Sequence, residues 1–177
     1  SHAKLLSDAL GVPLAEVSHQ QGHVAASLWS AGRLDLLAKT HLAWHLSGGT
    51  TELLLVEPEG RNVKCTRIGG TTDISAGQLI DRTGKKLGLP FPAGKAVDEL
   101  SLQARDKTHF RVKVSDCTFS FSGIENKMNA LAEGGTPPAE VCWYVLSSII
   151  QGVETATQQA LVRYPGLPVL CAGGVAS

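Results

Sequence analysis

Three glycine pairs follow strand-like apolar runs in this chain and constrain its fold more than any other feature. They are Ser47-Gly48-Gly49-Thr50-Thr51, Gly69-Gly70-Thr71-Thr72-Asp73 and Ala172-Gly173-Gly174-Val175-Ala176. Glycine lets a backbone turn sharply and approach another group with no Cβ in the way. Amides bared by such a turn can face an anion, and a helix starting behind the turn strengthens that attraction. Taken singly, each pair is equally an ordinary hairpin or strand-to-helix turn. Three in one chain point to a ligand held at strand ends, and the last also suits close approach to a flat ring such as adenine.

The segments between these turns alternate in period. Leu5, Leu6, Ala9 and Leu10 recur at helical spacing before Gly11, predicting a short helix over 2–10, and Pro13 then leads into a predicted strand ending near Ser18. A second helix opens at His19 and closes at Gly32. Strand-like runs follow at Ala38–Leu46, Thr50–Val56 and Asn62–Ile68, divided by turn chemistry, so the centre reads as a β-meander. Helices are expected over 73–87 and 95–104, with a proline and glycine loop between them and a short extended stretch around Phe110–Val114 afterwards. Pro137 and Pro138 suit the first turn of the longest helix, whose stripe Val141, Val145, Ile149, Val153, Ala156, Ala160 and Leu161 runs to about Tyr164. Leu167–Cys171 reads as a buried strand feeding the last glycine turn, which should lead into another helix.

Composition excludes several classes. With 177 residues, 43% of them apolar and 18% charged, and 16 basic groups balancing 16 acidic ones, the chain is neither intrinsically disordered nor a polybasic tail. Residues 61–128 hold 12 of the basic groups against 7 of the acidic ones, a local surplus that favours a polyanionic partner or forms a solvated face. Cys65, Cys117, Cys142 and Cys171 form no CxxC pair, which leaves buried thiols in a reducing cytoplasm as the expectation. No apolar run approaches the roughly 20 residues of a membrane span, and a cytoplasmic, soluble chain is expected.

His19 and His23 stand one helical turn apart. Both imidazoles then project from one face, about 5–6 Å apart at Cβ, and can share a metal ion. Two histidines are half a site, and packed or capping histidines show the same spacing. A zinc peptidase helix carries glutamate as general base beside the first histidine; here that residue is Gln20, which accepts no proton at neutral pH. Asp73 can hold a metal-bound water or cap the helix behind it, and Asp81 either faces solvent or reaches into a ligand pocket.

Taken in order, His19-Gln20-Gln21-Gly22-His23, Leu46-Ser47-Gly48-Gly49-Thr50-Thr51-Glu52-Leu53 and Ile68-Gly69-Gly70-Thr71-Thr72-Asp73 resemble the tRNA threonylcarbamoyladenosine transferase family (TsaD), once called glycoprotease or O-sialoglycoprotein endopeptidase. Ala76-Gly77-Gln78-Leu79-Ile80-Asp81, Leu87 to Gly94, Phe119-Ser120-Phe121-Ser122-Gly123 and Ala172-Gly173-Gly174-Val175 extend the likeness over nearly the whole chain.

The resemblance implies an α/β chain with an actin-like, Hsp70-like ATPase (ASKHA) fold, mixed sheets flanked by helices, and a ligand between two lobes. It implies His19 and His23 as ligands of a divalent metal, iron or zinc, and a ligand-binding segment at His45, Leu46, Ser47, Gly48 and Gly49, with further contacts from Asp81 and Gly94. The implied ligand is ATP or threonylcarbamoyl-AMP. The implied reaction moves threonylcarbamoyl onto N6 of the adenosine beside the tRNA anticodon, with TsaB-like and TsaE-like partner proteins and a homo- or heterodimer as the assembly.

Departures from the family pattern are Gln21 for glutamate, Ile74 for the second of two aspartates, Ala93 for the first glycine of PGG, and Ile124 and Glu125 where FSFSGLK has leucine and lysine. Family members also begin earlier, with a strand and phosphate loop, and end later, with an asparagine and a metal-binding aspartate. Residues 1–177 are therefore expected to be one TsaD-like domain, a fragment or reduced paralogue, weak as a catalyst alone. A non-catalytic actin-like scaffold in the same modification complex is the alternative, and a metallopeptidase the remote one.

Overall fold

The structure is a computed structural model that describes residues 1–60, 62–107 and 111–176. Ser1 caps helix α1 (His2–Leu10), and Gly11 ends it in the left-handed region at φ 63°. The predicted strand behind Pro13 does not form: 12–18 is irregular, its Val12, Leu14 and Val17 are exposed, and none of the described strands pairs with it. Alternating apolar residues suffice for a strand only when a neighbour offers a ladder. Helix α2 (His19–Ser30) starts on a capping box in which Ser18 accepts from the Gln21 amide while the Gln21 side chain accepts from the Ser18 amide.

A 3₁₀ turn (Leu34–Ala38) takes the first residue of the run read as Ala38–Leu46, so strand β1 begins at His41 (His41–Leu46). Strand β2 (Thr51–Glu59) and β3 (Asn62–Thr71) complete the expected meander, both longer than read: of the expected turn Pro58-Glu59-Gly60, Pro58 and Glu59 belong to β2. Helix α3 (Ala76–Lys86) has its own capping box from Ser75 and Gln78, and α4 (Gly94–Ser101) follows the proline loop. Strand β4 is two residues (Thr118–Phe119); Phe110, at the start of the expected extended stretch, lies outside the described residues, and 111–114 form no strand. Helix α5 (Ser122–Glu133) precedes the long α6 (Pro138–Arg163), and β5 (Val169–Ala172) closes the chain.

The five strands form one mixed sheet in the order β4-β3-β2-β1-β5. β1, β2 and β3 are antiparallel; β5 joins β1, and β4 joins β3, in parallel. Side chains alternate across the pleat. Leu42, Trp44, Leu46 and Leu53 therefore face α3–α6 in the larger core, while Ala43, Leu54, Val56 and Val63 meet Val24 and Leu28 of α2 and Leu36 of the 3₁₀ turn on the other side. Trp44 anchors α6 by donating its Nε1–H to Thr157 Oγ1 at 2.8 Å. The expected buried strand Leu167–Cys171 is instead an edge among the described strands, and Val169 and Cys171, whose side chains share one face, are exposed. The result is an α/β protein, a mixed sheet with helices on both faces.

Candidate ligand cleft and histidine cluster

β1 and β5 run in parallel, His45 opposite Ala172, so their carboxyl ends release two glycine turns side by side. Crevices outside the carboxyl ends of parallel strands are where α/β sheets bind ligands. Here the turns form one wall of a cavity of about 540 Å³, lined by Gly48, Gly77, Asp81, Gly94, Lys95 and Gly174 among others. The Ser47-Gly48-Gly49 turn is closed by Ser47 N–H donating to Thr50 O at 2.8 Å and Thr50 N–H to Ser47 Oγ at 3.1 Å. Ser75 Oγ–H donates to Gly48 O at 2.7 Å, seating the start of α3 on the turn. Gly77 makes that seat possible, because a Cβ there would lie 2.5 Å from Gly48 Cα. On the open side of the cleft, a Cβ at Gly48 or Gly94 would meet no atom within 4 Å, Gly49 bordering a separate cavity. Their bare backbone faces space that a ligand can fill.

Asp81 is half-buried and lines the cavity, where it accepts from Ala93 N–H at 2.9 Å and so ties α3 to the loop before Gly94. Lys95 and Asp98, on the exposed face of α4, complete the polar lining. Sequence reasoning missed both, since a lysine and an aspartate one turn apart on a short helix carry no distinguishing pattern.

The second glycine turn does not join this cleft. A Cβ at Gly69 would lie 2.5 Å from Cys117 O, and one at Gly70, where φ is 117°, 2.3 Å from Thr51 O. These glycines admit neighbouring backbone rather than phosphate. Asp73 is likewise neither the cap of α3, which is Ser75, nor an open metal-water ligand. Its carboxylate accepts from the Phe121 amide at 2.9 Å, the Ser122 amide at 3.1 Å, Ser122 Oγ–H at 2.7 Å and the Ser120 hydroxyl. Burial pushes this carboxyl up, but the hydrogen bonds from Ser120, Ser122 and Phe121 outweigh it and hold the group well below the usual carboxylate range.

The segment His45 to Gly49 divides between the two faces of the sheet. Leu46 packs into the larger core and Gly48 lines the cleft, whereas His45 points to the α2 face. There it meets the predicted pair: His19 Nε2 and His23 Nε2 are 3.0 Å apart, and the His45 ring centroid is 4.4 Å from that of His23 and 6.3 Å from that of His19. Burial lowers the His45 pKa, His23 and His19 lower it further, and Glu52, its cross-strand neighbour, opposes them. Gln20 Nε2–H donates to Glu52 Oε2 at 3.2 Å, and Arg67 Nη1 stands 3.6 Å from Glu52 Oε1. Two imidazole nitrogens 3.0 Å apart are close enough to share an ion bound at about 2 Å. Among the described residues, however, no group of three or more His, Cys, Asp or Glu side chains is arranged to hold a metal. The pair thus fits as half a donor set.

A mixed sheet with a cavity at the carboxyl ends of two parallel strands, beside a cluster of imidazoles, defines an α/β protein with a candidate ligand site. The model of the tRNA N6-adenosine threonylcarbamoyltransferase family (TsaD) matches residues 1–177, and the chain belongs to that family. It is 34% identical over 184 residues to the tRNA N6-adenosine threonylcarbamoyltransferase of Streptococcus thermophilus, a match covering 99% of this chain and 52% of that protein. A Streptococcus pneumoniae protein of the same name is 34% identical over 186 residues, covering 100% of this chain and 53% of the relative. The chain therefore spans about half the length of the curated relatives it matches. Among the described residues, no helix is long and apolar enough to cross a membrane.

Proposed function

We propose that residues 1–177 form one TsaD-like domain with an actin-like ASKHA topology, which binds ATP or threonylcarbamoyl-AMP and serves threonylcarbamoyl transfer to tRNA in the cytoplasm. The observation that carries this reading is the pairing of the Ser47-Gly48-Gly49 and Gly173-Gly174 turns on adjacent parallel strands, with Asp81 and Gly94 closing the same cavity. The backbone amide of Gly48 and the amino end of α3 suit the adenylate phosphate. Gly174, Val175, Ile80 and Leu146 line the same cavity and give it an apolar part suited to the flat adenine. Asp81 and Asp98 offer carboxylates to ribose hydroxyls, and Lys95 a cation to phosphate.

In the reaction, N6 of the acceptor adenosine attacks the carbamoyl carbon. The new N–C bond forms as the bond from that carbon to the phosphate oxygen breaks, AMP leaves, and N6 gives up one proton. The domain's residues orient the adenylate, so that the carbamoyl group extends past the turn toward the His45 side of β1. His19 and His23 would hold a divalent metal, iron or zinc, which when bound would supply Lewis acidity for a carbonyl. tRNA is the acceptor, with TsaB-like and TsaE-like proteins as partners.

Isothermal titration of the 177-residue chain with ATP, and mass-spectrometric detection of N6-threonylcarbamoyladenosine after incubation with threonylcarbamoyl-AMP and tRNA, test the proposal. Nucleotide binding and modified tRNA are expected; a chain that binds no nucleotide refutes it. The half-complete donor set favours a second reading, a nucleotide-binding scaffold without transferase chemistry. That reading predicts nucleotide binding with no modified tRNA. Peptidase chemistry finds no base in Gln20, whose amide is spent on Glu52.

A further inference from the structure

The loop joining α3 to α4 presents a ring that neither the cleft nor the core uses. Phe91 is 82% exposed, in a residue type that is usually buried. Its neighbours are fixed. Leu89 N–H donates to Gly84 O at 2.8 Å, Ala93 N–H to Asp81 Oδ1 at 2.9 Å, and Ala93 is 1% exposed. Ala93 packs so closely on α3 that a Cβ at Gly84 would lie 2.2 Å from its own. An anchored loop therefore holds the ring out into solvent beside Pro92 and Gly94, which both line the cleft.

Cations bracket the ring along the chain. Lys85 is exposed in the last turn of α3, and Lys95, on the cleft wall, begins α4. Lys95 and Glu99 are 3.8 Å apart with side chains 88% and 64% exposed, so their pairing is weak and screened. An exposed aromatic face next in sequence to the cleft lining, with lysines on either side of it along the chain, has the chemistry that grips single-stranded nucleic acid: rings stack on bases and cations follow phosphates.

We propose that Phe91 is a stacking platform for an unpaired base of the RNA acceptor, with Lys85 and Lys95 meeting its phosphates. This rests on the reading that the acceptor is RNA and extends it to a named contact. Stacking needs a base free of its partner, so a loop engages Phe91 and a continuous duplex does not.

Fluorescence anisotropy of the 177-residue chain with a labelled anticodon stem-loop RNA, beside a fully paired RNA of the same length, tests the contact. The intact chain should bind the stem-loop more tightly. Phe91→Ala should weaken the stem-loop by about 5- to 150-fold, the range of one lost stacking contact, and leave the duplex unchanged. Phe91→Tyr should retain affinity, and Phe91→Trp should add emission quenched by the loop RNA. Because Phe91 is exposed, unchanged melting curves are expected for all three. If Phe91→Ala binds the stem-loop as the intact chain does, or weakens loop and duplex alike, the stacking contact is wrong while the RNA reading stands. If the intact chain binds neither RNA, the acceptor reading fails and takes this inference with it.

Discussion

Glycine serves two opposed ends in this chain, and substitution separates them. At Gly173 φ is 103° and a Cβ would lie 2.1 Å from Leu46 O, so Gly173→Ala should destabilise by about 2 kcal/mol or more, read as a lowered Tm. At Gly48 a Cβ would meet nothing within 4 Å. Gly48→Ala should therefore stay within about 1 kcal/mol of the parent in stability yet lose at least about tenfold in ATP affinity by calorimetry, since about 1.4 kcal/mol of lost contact is a factor of ten. Unchanged affinity would remove Gly48 from the ligand site. Asp73 illustrates a charge used as a clamp. Its folded pKa is depressed, so its contribution is present above the unfolded carboxylate value, roughly pH 4, and fades as pH falls toward the folded one. Because the group is partly solvated, about 1–2 kcal/mol remains after screening. Asp73→Asn should thus lower Tm at pH 7 and flatten the loss of stability on acidification, followed by circular dichroism. An Asn variant as stable as the parent at pH 7 would discard the clamp. The three glycine pairs were visible in the sequence as turns, but only the opposing backbone decides which admit a ligand. His45 was likewise legible as a neighbour of the turn and not as a partner of His19 and His23, because cross-strand register sets the face it takes.

At the scale of elements, α2 shows how a departure from a family pattern acquires a local purpose. The Gln21 amide accepts from Ser18 N–H and donates to Val63 O, both at 2.6 Å, so one side chain caps the helix and pins it to β3. Gln21→Glu keeps the acceptor but sets a carboxylate oxygen against the Val63 carbonyl. It should cost about 1–2 kcal/mol by chemical denaturation, the range for a lost partner on a part-buried group, and Gln21→Ala a similar amount through the lost cap. A stabilised Gln21→Glu variant would mean that the carbonyl turns away. The longest helix was readable because a stripe sustained over many turns of α6 leaves no other period. Helix α5 carried little such signal, since only Met128 of its residues is fully buried. The edge position of β5 was hidden for a related reason: an apolar run announces a strand but not how many neighbours it has.

Across the whole molecule, several cations of the basic middle third are paired with carboxylates. Arg82 Nη1 reaches both Glu125 oxygens at 2.8 and 3.0 Å, Lys86 Nζ lies 2.6 Å from Glu133, and Arg67 faces Glu52. Glu125→Lys would release Arg82 and add a cation on the α3–α5 face. The variant should bind anticodon stem-loop RNA more tightly and steepen the slope of log affinity against log salt by about 1–2, as each added phosphate contact does. An unchanged slope would place that face away from RNA. The parallel pairing of β1 with β5 has one more consequence, for folding. Its two turns are separated in sequence by β2, β3 and α3 to α6, so the cleft cannot exist until partners far apart in the chain have met. Such contacts close late, against the greatest loop entropy. ATP would then bind only chains in which β5 has docked on β1, drawing the equilibrium toward that pairing by mass action, and nucleotide affinity would serve as a gauge of it.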